Sequence, residues 1–328
     1  MTLNRRHFLN STAAGLALAG FGPMAWAQER ETARVVIGFA PGGTIDLVAR
    51  RVADKMSPGY ARNVIVENKT GAGGQIAVQN VATGAADGTS ILLTPASPLA
   101  LHPHTFSKLP YDPVADLAPV SGAVSFDYAL AVGPMVPASV KTVPEFLAWA
   151  KANPQQANFG SAGNGSAAHF MGAALARAGS ADVRHVAFRG SQPAILDMVG
   201  GQLPAVIGPT GEFMAQVQGG KVRLLGTSGP KRGKFTPEVP TFAEQGYKDV
   251  QVIGWFGYYV PARTPQAVVS QANASVRSAL GSQDVVDSLA RLYMEPMPTT
   301  PAEMAALQKT ESAFWAGVAK AIGFSPAA

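Results

Sequence analysis

The chain contains no cysteine. Disulfides, thiolate-held zinc and cysteine nucleophiles are thereby excluded. Charge is sparse: Asp, Glu, Lys and Arg make up 14% of 328 residues, against roughly a quarter in ordinary soluble domains. After residue 30 no apolar run is long enough to span a bilayer. Several catalytic and nucleotide signatures are missing as well. There is no G-x-S-x-G for a serine hydrolase, no G-x-x-x-x-G-K-[ST] phosphate loop and no G-x-G-x-x-G dinucleotide turn. No H-E-x-x-H zinc helix occurs. The pair His102-x-His104 has no acidic partner motif beside it. It reads as polar surface, and no metal site and no cofactor are expected.

What is present is an apolar fraction of 47%, ample for a core. The first residues read as an export leader. Arg5 and Arg6 in NRRHFLN precede a mild apolar stretch and a small-x-small cleavage site after Ala27, the layout of a twin-arginine signal. Cleavage removes two of the 26 basic residues and none of the 21 acidic ones, for a net charge of +3. That balance is too weak and scattered for nucleic-acid binding. With no cysteine for a lipid anchor, the expected location is the periplasm, free of the membrane.

Strand and helix patterns alternate along the rest of the chain, which predicts an α/β fold with largely parallel sheets. A unit of strand, glycine-rich turn and helix recurs at 35–56, 64–83, 157–178 and 184–200. Thr142 to Glu145 is a capping-box start, and Ser166 is the N-cap of a helix reaching about Ala178. The stretch 97–120 is proline-rich and loop-like. The tail is helical, with no strands of its own, and is expected to pack back on the first part of the chain.

The recurrent turns have one chemical property in common. Each places backbone N–H groups and short hydroxyls at a helix N-terminus, where the partial charge is positive. Neither the 41–46 loop nor 160–168 carries lysine to balance a polyphosphate. A single carboxylate fits such a cradle. The first cradle is Pro41-Gly42-Gly43-Thr44, and the second is Ser161-Ala162-Gly163-Asn164-Gly165-Ser166. Arg189, beside Gly190 and Ser191, adds one cation. Glycine allows close backbone approach, although such glycines also serve plain tight turns. His169, in the first turn of a helix beside the second cradle, lines the cleft or packs locally. His185 reads as a core residue. Asp46, at the third helical position, is explained as a dipole partner. An enzyme using the same cleft would have only Asp46 and His169 as acid–base groups.

Taken in order, PGGTID at 41–46, VENKTGAGG at 66–74, DGTSILL at 87–93, LPYDPVADLAPV at 109–120, SAGNGSAAHF at 161–170, FRGSQPAILDMVGGQ at 188–202, EVPTFAEQGY at 238–247 and WFGYYVPARTP at 255–265 resemble the tripartite tricarboxylate transporter receptors, the Bug family of periplasmic solute-binding proteins. The resemblance implies a two-lobed flytrap that closes on a small carboxylated ligand. Residues 28–130 and 255–328 would form lobe one, and 131–254 lobe two. It implies no enzyme, and partners that are integral membrane transporter subunits, with a sensor kinase as the alternative. The loop Phe39 to Asp46 would hold one ligand carboxylate. Ser97, the 161–166 loop, His169, the 189–191 turn and Gly208 would complete the site.

Three departures from the family pattern stand out. Gly38 and Ala40 occupy positions where the family commonly has proline, which predicts a pliable first loop. Gly208-Pro209 stands where an aspartate commonly faces the cleft, which disfavours an amine on the ligand. The segment 95–98 is proline-rich, predicting a less polar cleft edge. Together these point to a mono- or dicarboxylate without an amine, with a small aromatic acid accommodated by Phe39 and Phe188.

Overall fold

The computed structural model describes residues 30–57 and 59–321. The leader expected over residues 1–27 lies outside the described residues.

The strands are β1 (Thr32–Ile37), β2 (Asn63–Asn68), β3 (Ser90–Pro95), β4 (Leu117–Val132), β5 (Asn158–Ser161), β6 (Arg184–Ala187), β7 (Ala205–Pro209), β8 (Arg223–Thr227), β9 (Ile253–Pro261) and the two-residue β10 (Glu295–Pro296). The helices are α1 (Thr44–Met56), α2 (Gln75–Ala82), α3 (Val143–Ala152), α4 (Ala167–Ala178), α5 (Ser191–Val199), α6 (Met214–Gln218), α7 (Gln266–Gly281), α8 (Gln283–Arg291) and α9 (Pro301–Ala321). The strand order is β2-β1-β3-β9-β4-β7-β5-β6, with β8 and β10 also on β4.

The sheet is parallel toward both ends and antiparallel in the middle. β1 runs parallel to β2 and β3, and β5 runs parallel to β6 and β7. β9 is antiparallel to β3 and to β4. The largely parallel sheets expected from the alternating pattern therefore hold only outside this centre. β4 is the reason. Its first part, Leu117 to Asp127, pairs with β9. Its last part, Tyr128 to Val132, pairs with β7 and β8. One continuous strand thus belongs to both halves of the fold. Register shifts between Pro119 and Ser121 and between Gly122 and Val124 interrupt its pairing with β9 before the changeover.

Local sequence explains the helices that aim at the centre. In α1, Ile45, Val48, Ala49, Val52 and Met56 are buried on one face, the i, i+3, i+4 spacing of an amphipathic helix. Each large apolar side chain on that face contributes about 1.5–3 kcal/mol by burial. The capping box at the start of α3 forms: Thr142 accepts from the Glu145 amide, and Glu145 accepts in return. Ser166 caps α4 by accepting from the His169 amide.

Two features exceed the sequence-based expectation. The region 97–120 is not simply a loop. Pro98 and Pro103 are the second residues of short helical turns, Ser97–Leu101 and His102–His104, where the N–H has no partner within the turn to lose. The tail holds not only helix α8, burying Val285 and Leu289, but also the short strand β10 on β4, where no strand was expected.

The tail helices pack on the first half, α7 against β4 and α1, and α9 against β4 and the 97–101 turn. The carboxylate of Glu311 in α9 accepts from the indole N–H of Trp255 on β9 and of Trp315. Trp315 in turn meets Phe170 of α4 edge to face, with centroids 6.3 Å apart. The last helix therefore touches the second half too.

Candidate ligand-binding cleft

A cavity of about 300 Å³ opens between the two halves. Three helix N-termini converge on it. Gly43, Thr44 and Ile45 come from the start of α1; Ser166, Ala167 and Ala168 from α4; Gly190, Ser191 and Gln192 from α5. Neither α1 nor α5 has a side-chain cap. Their first amides are left without a capping side chain, at the positive ends of the helix dipoles. Helix ends arranged in this way suit an anion, held by neutral groups.

The first turn is held from behind. Asp46 is buried and accepts from the Gly42 amide at 3.0 Å, from Arg50 through two nitrogens at 3.0 and 2.9 Å, and from Asn68 at 3.0 Å. Burial pushes its carboxyl up, but the bonds from Arg50, Gly42 and Asn68 outweigh that and leave it below the ordinary carboxylate range. Asn68 also donates to the Phe39 carbonyl oxygen at 3.0 Å. Asp46 is thus a clamp on the loop rather than part of the cavity wall.

Gly38 has a different explanation from pliability. A Cβ there would meet the Gly74 Cα at 2.6 Å. The two backbones touch, which seats the Ala72–Gly74 turn against the first cradle and brings Gly73 to the cavity. Gly38 therefore has a packing role in the loop.

Of the residues singled out in the sequence, Phe39, Pro41, Gly43, Thr44, Ser97 and Ala162 line the cavity. So do Asn164, Ser166, Arg189, Gly190, Ser191 and Gly208. Gly42, Gly163 and Gly165 shape the turns instead, each with positive φ (86°, 99° and 71°). Ser161 lies beneath the second cradle, fully buried, with its hydroxyl 3.1 Å from Ser166 Oγ and 2.8 Å from His185 Nε2. His169 is beneath the cradle as well. Its ring stacks on His185 with centroids 3.8 Å apart, and its Nδ1 accepts from the Gly165 amide at 3.3 Å. Burial lowers both imidazoles, His169 to about 4 and His185 to about 3, the latter helped by its neighbour.

Phe188 does not reach the cavity. It packs with Ile195 and Leu203 in the core of the second half. The aromatic wall is made instead by Phe39, Phe126, Tyr128 and Phe256. Phe126 and Tyr128 sit where β4 crosses between halves, a pairing that no local pattern in the sequence announces. Pro95 gives the apolar edge. His102 also lines the cavity, fully buried, and burial lowers its imidazole to about 4. His104 points elsewhere, with Nε2 2.8 Å from Ser312 Oγ. The two rings serve separate neighbours.

The most consequential residue missed in the sequence is Glu212. Thr44 Oγ1 donates to its Oε1 at 2.7 Å, while Oε2 is buried without a hydrogen-bond partner. Burial raises this carboxyl above its ordinary range, although Thr44 and Ser191 pull it down. Gly208 leaves the usual acidic position empty, yet a carboxyl reaches the cleft four residues later. The titratable groups on the wall thus include Glu212, His102, Tyr128 and Arg189, but not Asp46 or His169. The signal was a lone glutamate in PTGEFM, with no pattern to separate it from surface charge.

A cleft between two α/β halves, walled by helix N-termini and crossed by shared strands, defines a two-lobed periplasmic binding-protein fold. The chain belongs to the tripartite tricarboxylate transporter family receptors, whose family model matches residues 48–324. It is 30% identical to protein BugT of Bordetella pertussis, over 88% of this chain and 89% of that one. The structure of the periplasmic binding protein BugD is similar at a TM-score of 0.84 and 29% identity, covering 90% of this chain and 99% of that one. MatC of Rhodopseudomonas palustris, solved with malate, is similar at a TM-score of 0.81 and 30% identity, over 88% and 98% of the two chains. Rpa4515 of R. palustris, solved with adipate, gives a TM-score of 0.86 and 27% identity, over 92% and 100%.

Proposed function

We propose that this receptor captures a small mono- or dicarboxylate in the periplasm and delivers it to the integral membrane subunits of a tripartite tricarboxylate-type transporter. The observation that carries the ligand class is the convergence of three helix N-termini on one cavity, two of them without side-chain caps. The Pro41–Thr44 turn takes one carboxylate through backbone amides. The α5 start, with Arg189 at the same wall, takes a second acidic end or leaves it to solvent. Phe126, Tyr128 and Phe256 give the chain between them an apolar bed, wide enough for a small aromatic acid. Relatives solved with malate and adipate favour this class. The family is one of tripartite tricarboxylate transporter receptors, which favours delivery to a transporter over delivery to a sensor kinase.

Lobe one would comprise residues 28–130 and 255–328, and lobe two 131–254, with β4 and β9 as the hinge. A receptor of this kind releases its ligand unchanged, and no enzymatic step is needed. Export would follow from the twin-arginine leader.

The test is native mass spectrometry of residues 28–328, followed by thermal shifts against a panel of carboxylic acids. A ligand at 100 times its Kd that binds only the folded state stabilises by about 2.7 kcal/mol. An upward shift with an unchanged acid is the expected result. Conversion of the bound acid into a new mass would replace the receptor reading with an enzymatic one.

A further inference from the structure

Glu212 lies in the short helical turn Thr210–Phe213 that follows β7. The turn is pinned from several sides. Thr210 Oγ1 donates to the Asp127 carbonyl oxygen at 2.8 Å, and Phe213 is fully buried. Gly211 packs so closely on the end of α8 that a Cβ there would meet the Leu292 carbonyl oxygen at 2.0 Å. The carboxyl is therefore presented at a fixed place on the cleft wall. One oxygen is occupied by Thr44, and the other, Oε2, is buried with no partner. An unpaired buried carboxyl oxygen is costly, and far more so when it carries charge.

Nothing around it offers that charge a counterion. The ion pairs among the described residues do not include Glu212. From α1 it meets Thr44, while Asp46 on the same helix is committed to Arg50. From α5 the Ser191 hydroxyl, and from α1 the Thr44 backbone amide, lie near enough to pull the carboxyl down, although burial is the larger effect. From β4 the Tyr128 phenol feels its field, and Asp127 touches its turn through the backbone. From the end of α8, Tyr293 packs beside Gly211. Arg189 shares the cavity wall but is exposed. A ligand carboxylate entering this space brings a second acid to the first. Two carboxyls confined together away from water do not both ionise; they hold one proton between them.

We propose that Glu212 is a specificity-determining residue of the cleft, which as the neutral acid donates a hydrogen bond from Oε2 to an oxygen of the bound ligand. The proposal rests on the reading that the cleft takes a carboxylate, and it narrows that reading. The ligand's acidic or carbonyl oxygen faces the Thr210–Phe213 turn, and ligand binding retains the Glu212 proton. An ammonium group at this position would instead call for an ionised Glu212, and the surroundings just described disfavour that. Burial, which raises the carboxyl, works in the same direction as the geometry.

The experiment is titration calorimetry of wild type, Glu212→Gln and Glu212→Leu with succinate, glutarate, adipate, malate, benzoate and glutamate. It is paired with infrared difference spectra of binding. The Gln amide donates from the same place, so Glu212→Gln should keep the wild-type affinity for the acid that binds best to within about threefold. Glu212→Leu should lose about tenfold or more, the worth of a hydrogen bond to a charged group. The wild-type difference spectrum should show a carboxylic C=O band that is missing in Glu212→Gln. Loss of binding in Glu212→Gln would mean the residue acts as an anion, and the proposal would fall. Equal affinities in all three proteins, or no carboxylic band, would overturn it as well. If Glu212→Leu does not fold, the Gln affinity and the infrared band decide the matter alone. If wild type binds glutamate alone among the six, the ammonium reading replaces this one. If it binds none, the carboxylate reading of the whole cleft fails first, and this one fails with it.

Discussion

Thr44 Oγ1 donates to Glu212 Oε1 across 2.7 Å, although 168 positions separate the two residues in the chain. The bond joins the first turn of α1 to the turn after β7, one from each half of the fold. It also uses the only hydrogen of the Thr44 hydroxyl, which leaves that group no hydrogen to give a ligand. Thr44→Val keeps the shape and removes the donor. The expected cost is about 1–3 kcal/mol, because a buried acceptor loses its partner. Thr44→Ser should restore most of it. Denaturant unfolding of the two variants measures both numbers, and equal stability of the Val variant and wild type would discount the latch.

Asp46 makes a second kind of prediction, because its carboxyl holds the loop and not the ligand. Asp46→Ala removes the acceptor for the Gly42 amide, Arg50 and Asn68 together. A loss of about 2–4 kcal/mol is expected, more than one ordinary hydrogen bond. The pH dependence has a definite sign. The folded carboxyl lies below its ordinary value of 3.8, so its contribution is present above that value and fades as pH falls through the folded one. Acid unfolding of wild type against Asp46→Asn, which lacks this titration, isolates it.

The stacked imidazoles of His169 and His185 also lose stability on acidification, but beginning at a higher pH. Burial lowers them to about 4 and about 3, and lowers His102 to about 4, from an ordinary 6.5. Between those values the unfolded chain binds more protons than the folded one. Stability from these groups is therefore complete above about pH 6.5 and falls steadily as the pH drops toward 4. His169→Phe preserves a stacking ring and removes one titration. Its unfolding free energy should change less between pH 7 and pH 5 than that of wild type. Parallel slopes would show that the pair is hydrated in solution.

Much of this was legible in the sequence because the elements that build the cradles are local. Glycine turns, a capping box and an N-cap serine are short signals, and Thr142, Glu145 and Ser166 do what their spacing announces. The wall of the cleft was harder. Phe126 and Tyr128 reach it only because β4 runs through both halves, and that depends on pairing with β9 more than a hundred residues later. Glu212 was invisible for the same reason, since its meaning comes from Thr44. Phe188 misled in the reverse sense: it sits next to a cradle residue in sequence, and its ring turns into the core.

Gly38, Gly42 and Gly43 are neighbours in one loop, yet substitutions at them should fail for three different reasons. Gly38 has no unusual φ, but a Cβ would meet the Gly74 Cα at 2.6 Å and its carbonyl oxygen at 3.1 Å. Both atoms are backbone and cannot turn aside, so Gly38→Ala must push the Ala72–Gly74 turn outward. A cost of about 1–3 kcal/mol is expected, with weaker ligand binding because Gly73 is part of the wall. Gly42 meets nothing within 4 Å, but its φ of +86° is strained for any side chain. Gly42→Ala should cost about 1–2 kcal/mol with little direct effect on the cavity. Gly43 has an ordinary backbone and only the Ala40 carbonyl oxygen near, at 3.7 Å. Gly43→Val should therefore fold almost normally while its methyl groups occupy the cradle, and affinity should drop severalfold or more. Melting curves and calorimetry on the three variants separate the effects. A Gly43→Val protein that binds its acid as wild type does would remove the first turn from the site.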